Sequence, residues 1–161
     1  MFHVIIPARF AASRLPGKPL LDIGDRPLIQ WVWQCAQASG AASVIVATDD
    51  VRIRDAAQHF GAECVLTSTQ HTSGTDRMAE VVRAKAYAQD DVVVNLQGDE
   101  PMMPPGVINE VANALLTRPQ IDIATAVAPI RSLAKSPVIR SAARSLSRAN
   151  APVNLPQTAW R

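Results

Sequence analysis

Arg9, Arg14 and Lys18 place three cations within ten residues, in a stretch that also holds Pro7, Pro16, Gly17 and Pro19. The prolines deny it helical propagation, and the glycine allows a tight turn. Such a loop suits a polyphosphate, because its cations oppose the charge and free backbone amides near a helix start can approach the oxygens. Three cations in a loop ordinarily read as a solvated connection. Position argues otherwise here, since the apolar run Phe2, His3, Val4, Ile5, Ile6 precedes the loop, and open α/β sheets bind ligands beyond the carboxyl ends of their strands. Two further polar stretches carry chemistry. In residues 71–77 (His-Thr-Ser-Gly-Thr-Asp-Arg), Ser73, Gly74 and Thr75 offer hydroxyls and a close-approach backbone for a base or sugar. In residues 97–101 (Gln-Gly-Asp-Glu-Pro), Asp99 stands where Mg²⁺ would be held, because that ion takes one or two protein carboxylates plus phosphate oxygens. Taken alone, Asp99 reads equally as a turn or capping acid. Its neighbour Glu100 should point the other way.

Elements must hold these stretches in place. Short β-branched runs predict strands at 2–6, 44–47, 63–66, 91–96 and 123–127. Between them, helical spacing predicts helices over 27–39 with Gly40 as the stop, over 53–60 closed by Gly61, from Met78 onward, and around 107–115. Residues 71–77 read as loop, with Asp76 and Glu80 favouring the helix start that follows. Strands alternating with helices predict an α/β fold: three layers around a mostly parallel sheet. All three polar stretches then lie at predicted strand ends.

Composition narrows the class. The chain has 161 residues and 48% hydrophobic content, enough for a sizeable core. No apolar run approaches membrane-spanning length and Met1 leads straight into a strand, so the expectation is a cytoplasmic protein with no membrane partner. Cys35 and Cys64 form no Cys-x-x-Cys pair and read as small buried hydrophobes. Residues 1–130 hold ten Lys/Arg against 14 Asp/Glu, net −4, whereas residues 131–161 hold six Lys/Arg and no acid, net +6. The expected division is a core over 1–130 and a basic, acid-free tail over 131–161. A basic tail raises the question of nucleic acid, but only Trp160 is aromatic there, so no nucleic-acid partner is expected.

Two nucleotide motifs fail. A phosphate-binding Walker loop needs Gly where Ala12 stands and Ser or Thr where Pro19 stands. A dinucleotide fingerprint needs three glycines after the first strand, where Gly17 stands alone, so Asp49 only imitates the ribose-binding acid of that fold.

Arg-Leu-Pro-Gly-Lys-Pro-Leu at 14–20, His-x-Ser-Gly-Thr-Asp-Arg at 71–77 and Gln-Gly-Asp-Glu-Pro at 97–101, in this order, resemble the 3-deoxy-manno-octulosonate cytidylyltransferases, or CMP-Kdo synthetases. Each motif alone is weak; together they are specific, over about residues 2–129. The resemblance implies a Rossmann-like nucleotide-diphospho-sugar transferase fold and an enzyme that joins Kdo (3-deoxy-D-manno-octulosonate) to CMP from CTP, for lipopolysaccharide synthesis. It implies Mg²⁺ as cofactor, CTP and Kdo as partners, and a homodimer for the intact family. Residue by residue, it puts Arg9 and Lys18 on the triphosphate with Arg14 assisting, and Pro7, Ala8, Ser73 and Gly74 at the cytidine, with Thr75 counted among the nucleotide-binding residues. Arg77 and Gln97 then lie towards the sugar or ribose, and Asp99 binds Mg²⁺. Arg9, Lys18 and Asp99 are the implied catalytic set, Lys18 the largest contributor.

The resemblance stops near Pro129. Family members are longer, with the Kdo pocket, a second metal-binding Asp and much of the dimer contact in their second half. Residues 131–161 instead hold five Arg, five Ser, six Ala and three Pro with almost no periodicity. The expectation is a truncated chain whose coding frame is lost soon after Leu133, leaving the C-terminal part of the fold missing and an edge exposed. Two other functions stand beside Kdo transfer: a non-catalytic CTP-binding fragment without the sugar pocket, and another sugar or acid-sugar nucleotidyltransferase.

Overall fold

The structure is a computed structural model and describes residues 1–11 and 15–127. In chain order the elements are β1 (Phe2–Ala8), a 3₁₀ turn (Lys18–Leu20), β2 (Asp22–Ile23), β3 (Arg26–Pro27), α1 (Leu28–Gln37), β4 (Ser43–Thr48), α2 (Val51–His59), β5 (Glu63–Leu66), α3 (Gly74–Lys85), β6 (Val92–Asn95) and α4 (Pro105–Leu116). All belong to the compact unit Met1–Ala124; of the second unit, Thr125–Arg161, residues 125–127 are described and carry no regular structure.

Among the described residues the main sheet has the order β5-β4-β1-β6, with every pairing parallel. β1 is buried along its whole length because it is sandwiched on both faces. Side chains alternate across a strand, so Phe2, Val4, Ile6 and Ala8 join a core with Leu28, Ile29, Val32 and Ala36 of α1, Ile53 and Ala57 of α2, and Ile108 and Ala112 of α4. On the other face Ile5 packs with Ile45, Ala47 and Val81 of α3. The three layers predicted from the strand–helix alternation are therefore present. Ile5, Ile6, Ile45 and Val46 are at most 1% exposed, and each such side chain contributes about 1.5–3 kcal/mol by leaving water.

The chain steps from β1 to β4 to β5 on one flank, then returns to place β6 on the other. The carboxyl ends of β1 and β6 thus flank a topological switch point, the crevice where open α/β sheets bind ligands.

A proline in this central strand is explained by the register. In a parallel ladder a residue's N–H and C=O face the same neighbour, and Leu96 donates to the Ile5 carbonyl (3.1 Å), so Ile5 and Pro7 both face β6. Pairing with β6 ends at Ile5–Asn95, so Pro7 lacks its N–H where the partner has already turned away.

The structure departs from the sequence reading in four places. Residues 123–127 form no strand: Ile123 is 83% exposed, and no described strand offers the ladder partner that an apolar run needs. Residues 74–77, read as loop, are the first turn of α3. The cause is Ser73, whose hydroxyl accepts from the Asp76 amide (3.1 Å) and caps the helix. The antiparallel pair of β2 and β3 was not foreseen, since two-residue strands leave no periodic trace. Cys35 and Cys64 are free and half-buried rather than buried; desolvation pushes the Cys64 thiol up to about 11. Among the described residues, no helix is long and apolar enough to cross a membrane.

Candidate nucleotide site

The loop leaving β1 is closed by local bonds. Gly17 donates to the Phe10 carbonyl (2.8 Å) and Leu20 to the Gly17 carbonyl (2.8 Å), with Gly17 at φ +73°, a conformation that costs other residues energy. Lys18 thereby begins the 3₁₀ turn, and its Nζ donates to Asp99 Oδ2 at 2.7 Å. These residues are 81 positions apart. Arg9 is exposed immediately past the end of β1. Arg14 lies outside the described residues.

Asp99 reaches this position because the turn after β6 lies against β1. A β-carbon built on Gly98 would stand 2.8 Å from the Pro7 carbonyl oxygen, so only glycine lets the two backbones approach so closely. Gly74 performs the same service from α3: a β-carbon there would lie 3.1 Å from Pro7 Cγ and 3.9 Å from Gln97 Oε1. Pro7, Ala8, Gly74, Gln97 and Gly98 consequently share one small region at the carboxyl end of β1. Gln97 is exposed there, its Nε2 donating to Asn95 Oδ1 (3.3 Å).

Ser73 and Thr75 begin α3, where first-turn amides point outward and the helix dipole is positive. The Ser73 hydroxyl also donates to Asp76 Oδ2 (2.7 Å), and this bond holds the Asp76 carboxyl below the usual carboxylate range. Thr75 is exposed. The approach to this helix is pinned by Glu80, which accepts from the Ser68 amide (3.0 Å) and from His71.

Arg77 is turned into the fold. It is 3% exposed, donating to Asp49 Oδ2 (2.7 Å) and to Thr67 Oγ1, while Thr67 itself donates to the Thr48 carbonyl. The guanidinium therefore ties α3 to the carboxyl ends of β4 and β5. Asp49, set aside as an imitation of a ribose-binding acid, is its counter-ion.

The donor set fits a cation held jointly with a phosphate ligand. Asp99 supplies an exposed carboxylate, one oxygen of which already accepts from Lys18. Mg²⁺ is bound in just this shared manner. Beside it, lost hydration and then the Asp99 charge push the Glu100 carboxyl up from its ordinary value.

Two contacts that hold the loop were not anticipated from the sequence. The guanidinium of Arg52 lies 3.4 Å over the Phe10 ring, and Arg52 is itself gripped by Asp50 through two side-chain bonds.

Known proteins supply the comparison for this geometry. The cytidylyltransferase family model matches residues 3–150, extending beyond Pro129. The chain is 54% identical over 129 residues to the 3-deoxy-manno-octulosonate cytidylyltransferase of Idiomarina loihiensis, covering 80% of this chain and 51% of that protein. To the protein of the same name from Vibrio campbellii it is 56% identical over 114 residues, 71% of this chain and 45% of that one. Among solved structures, a CMP:2-keto-3-deoxy-manno-octonic acid synthetase complexed with CTP superposes at TM-score 0.69 and 44% identity, over 73% of this chain and 48% of that one. A Leptospira borgpetersenii cytidylyltransferase, 21% identical over 72% of this chain and 49% of its own, shares the fold at TM-score 0.62. The chain spans about half the length of the curated relatives it matches. By sequence, by fold and by the three motifs gathered at one end of its sheet, the chain belongs to the cytidylyltransferase family.

Proposed function

We propose that this chain carries the CTP-binding half of a Kdo cytidylyltransferase site, the activity for which its relatives are named. The observation that carries the reading is the meeting of Lys18 and Asp99 at 2.7 Å, at the switch point of the sheet. A cation and a carboxylate from loops 81 positions apart converge where a metal-bound triphosphate needs both.

Arg9 and Lys18 oppose the triphosphate charge, assisted by Arg14. Pro7, Ala8, Ser73, Gly74 and Thr75 form the cytidine side. Gln97 faces the ribose or sugar, and Arg77, assigned with it, contributes by holding α3 in register. Asp99 is the residue that would hold Mg²⁺, which when bound supplies charge neutralisation on the phosphates. In the reaction the anomeric hydroxyl oxygen of Kdo forms a bond to the α-phosphorus of CTP. The bond from that phosphorus to the bridging α–β oxygen breaks, pyrophosphate departs, and the hydroxyl proton passes to solvent. Lys18 and Arg9 stabilise the charge that builds on the departing oxygens. The proposal includes a place in lipopolysaccharide synthesis, a cytoplasmic location and a homodimer for the full-length enzyme.

A second reading, a CTP-binding unit that does not complete the reaction, is favoured by the groups that gather at the site, Lys18 with Asp99 and Pro7 with Gly74, which are the ones assigned here to the nucleotide and its metal. Pyrophosphate release from each nucleoside triphosphate, with Mg²⁺ and with or without Kdo, separates the two. Release only with CTP and Kdo together supports the transferase. CTP binding without release supports the second reading, and release without nucleotide preference contradicts both.

A further inference from the structure

The cationic loop has a support that lies outside the residues assigned to the ligand. Phe10 stands next to Arg9, half-buried against the core that contains β1. One contact with its ring comes from Gly17, where a β-carbon would lie 3.1 Å from two ring carbons. Another comes from Arg52, whose guanidinium carbon sits 3.4 Å from the ring centroid. The main chain closes the same junction, Gly17 donating to the Phe10 carbonyl at 2.8 Å.

Arg52 is held in turn. Its Nε donates to Asp50 Oδ1 (2.9 Å) and its Nη2 to Asp50 Oδ2 (2.6 Å), a bidentate pair. Asp50 is anchored twice more: its Oδ1 accepts from the Arg52 amide (2.9 Å) as the cap of α2, and its own amide donates to Thr48 Oγ1 (3.2 Å). Thr48 is the fully buried last residue of β4. A continuous chain of contacts therefore runs from the sheet through Asp50 and Arg52 to Phe10, and from Phe10 to Gly17, the residue before Lys18.

We propose that Phe10 and Arg52 are positioning residues that clamp the base of the cationic loop, fixing Gly17 and so the direction in which Lys18 leaves. Arg52 spends its guanidinium on Asp50 and the ring, and acts on the ligand only through Phe10. A loop carrying several cations repels itself, and fixing it before binding removes an ordering cost from the affinity. The effect on CTP rests on the function proposed above; the clamping of the loop does not.

Amide hydrogen exchange on the ligand-free chain tests it. In Phe10→Leu and Arg52→Gln the Gly17 amide exchanges faster by about three- to thirtyfold, the range implied by loss of a cation–aromatic contact. Amides of β4 keep the parent rate, and Phe10→Tyr, which preserves the ring face, restores protection. Unchanged Gly17 exchange in both variants overturns the proposal. So does equal loss of protection at Gly17 and β4, which would mark a merely structural role. CTP titration separates the remaining case: weaker CTP binding in Arg52→Gln with parent exchange at Gly17 would make Arg52 a direct ligand and refute the clamp. A parent chain that binds no CTP refutes the proposed function, while the exchange result still decides the clamp.

Discussion

Gly98→Ala is the substitution whose cost the geometry defines most closely. Gly98 has no left-handed backbone requirement, so alanine meets no conformational penalty there and the cost is purely steric. The added β-carbon would stand 2.8 Å from the Pro7 carbonyl oxygen, with Ala8 Cβ and Ile29 Cδ1 at 3.6 Å behind it. Pro7 cannot retreat, because it lies in the central strand in register with Ala47. The 97–99 turn must move instead, carrying Asp99 away from Lys18. Overpacking of this kind costs about 1–3 kcal/mol. With a slope of about 2 kcal/mol per molar urea, a 2 kcal/mol loss lowers the unfolding midpoint by about 1 M. Gly106→Ala is the internal control: nothing lies within 4 Å of a β-carbon there, and the site is in α4, so its effect is neutral or stabilising by up to about 1 kcal/mol. A Gly98→Ala chain within about 0.5 kcal/mol of the parent would refute the close approach of the two backbones.

Three further substitutions probe the supports of the site. Gly17→Ala forces a β-carbon to φ +73° and to 3.1 Å from the Phe10 ring; a loss of about 1–2 kcal/mol is expected by denaturant titration. Arg77→Met strands the Asp49 carboxylate, which keeps 18% exposure, so the expected loss is about 3 kcal/mol, the low end for a broken buried pair. Asp50→Ala removes the α2 cap and costs about 0.5–2 kcal/mol in the same assay. The Asp50 carboxyl is held below its ordinary value chiefly by its bond with Arg52. Its stabilising contribution is therefore present above the ordinary carboxylate range and is lost as pH falls through the lowered folded value. Parent and Asp50→Ala stabilities accordingly converge towards acid, and a gap that widens on acidification would contradict the assignment.

Much of the fold was legible because its signals are local. The apolar runs of β1, β4, β5 and β6, and the helical spacing around Leu28, Ile53 and Val107, can be read within windows of a dozen residues. The start of α3 was missed by one turn, because the polar stretch hid the Ser73 cap. Residues 123–127 have strand composition, yet composition supplies no ladder partner. For the site, the place of the three polar stretches beyond strand ends was readable, whereas their joints were not. Nothing near Gly98 announces the Pro7 carbonyl, nothing near Phe10 announces Arg52, and the burial of Arg77 against Asp49 depends on where α3 docks. These contacts join residues far apart in sequence, and only the topology brings them together.

The central claim is that Lys18 and Asp99 belong to a CTP site. Calorimetric titration of the folded chain with CTP and Mg²⁺, repeated with Lys18→Ala, tests it most directly. The account predicts one saturable CTP site, weaker binding of the other nucleoside triphosphates, and a loss of about tenfold or more in Lys18→Ala, the size of a hydrogen bond to a charged group. Folded protein that takes up no CTP, or binds it equally well without the Lys18 ammonium, would contradict it.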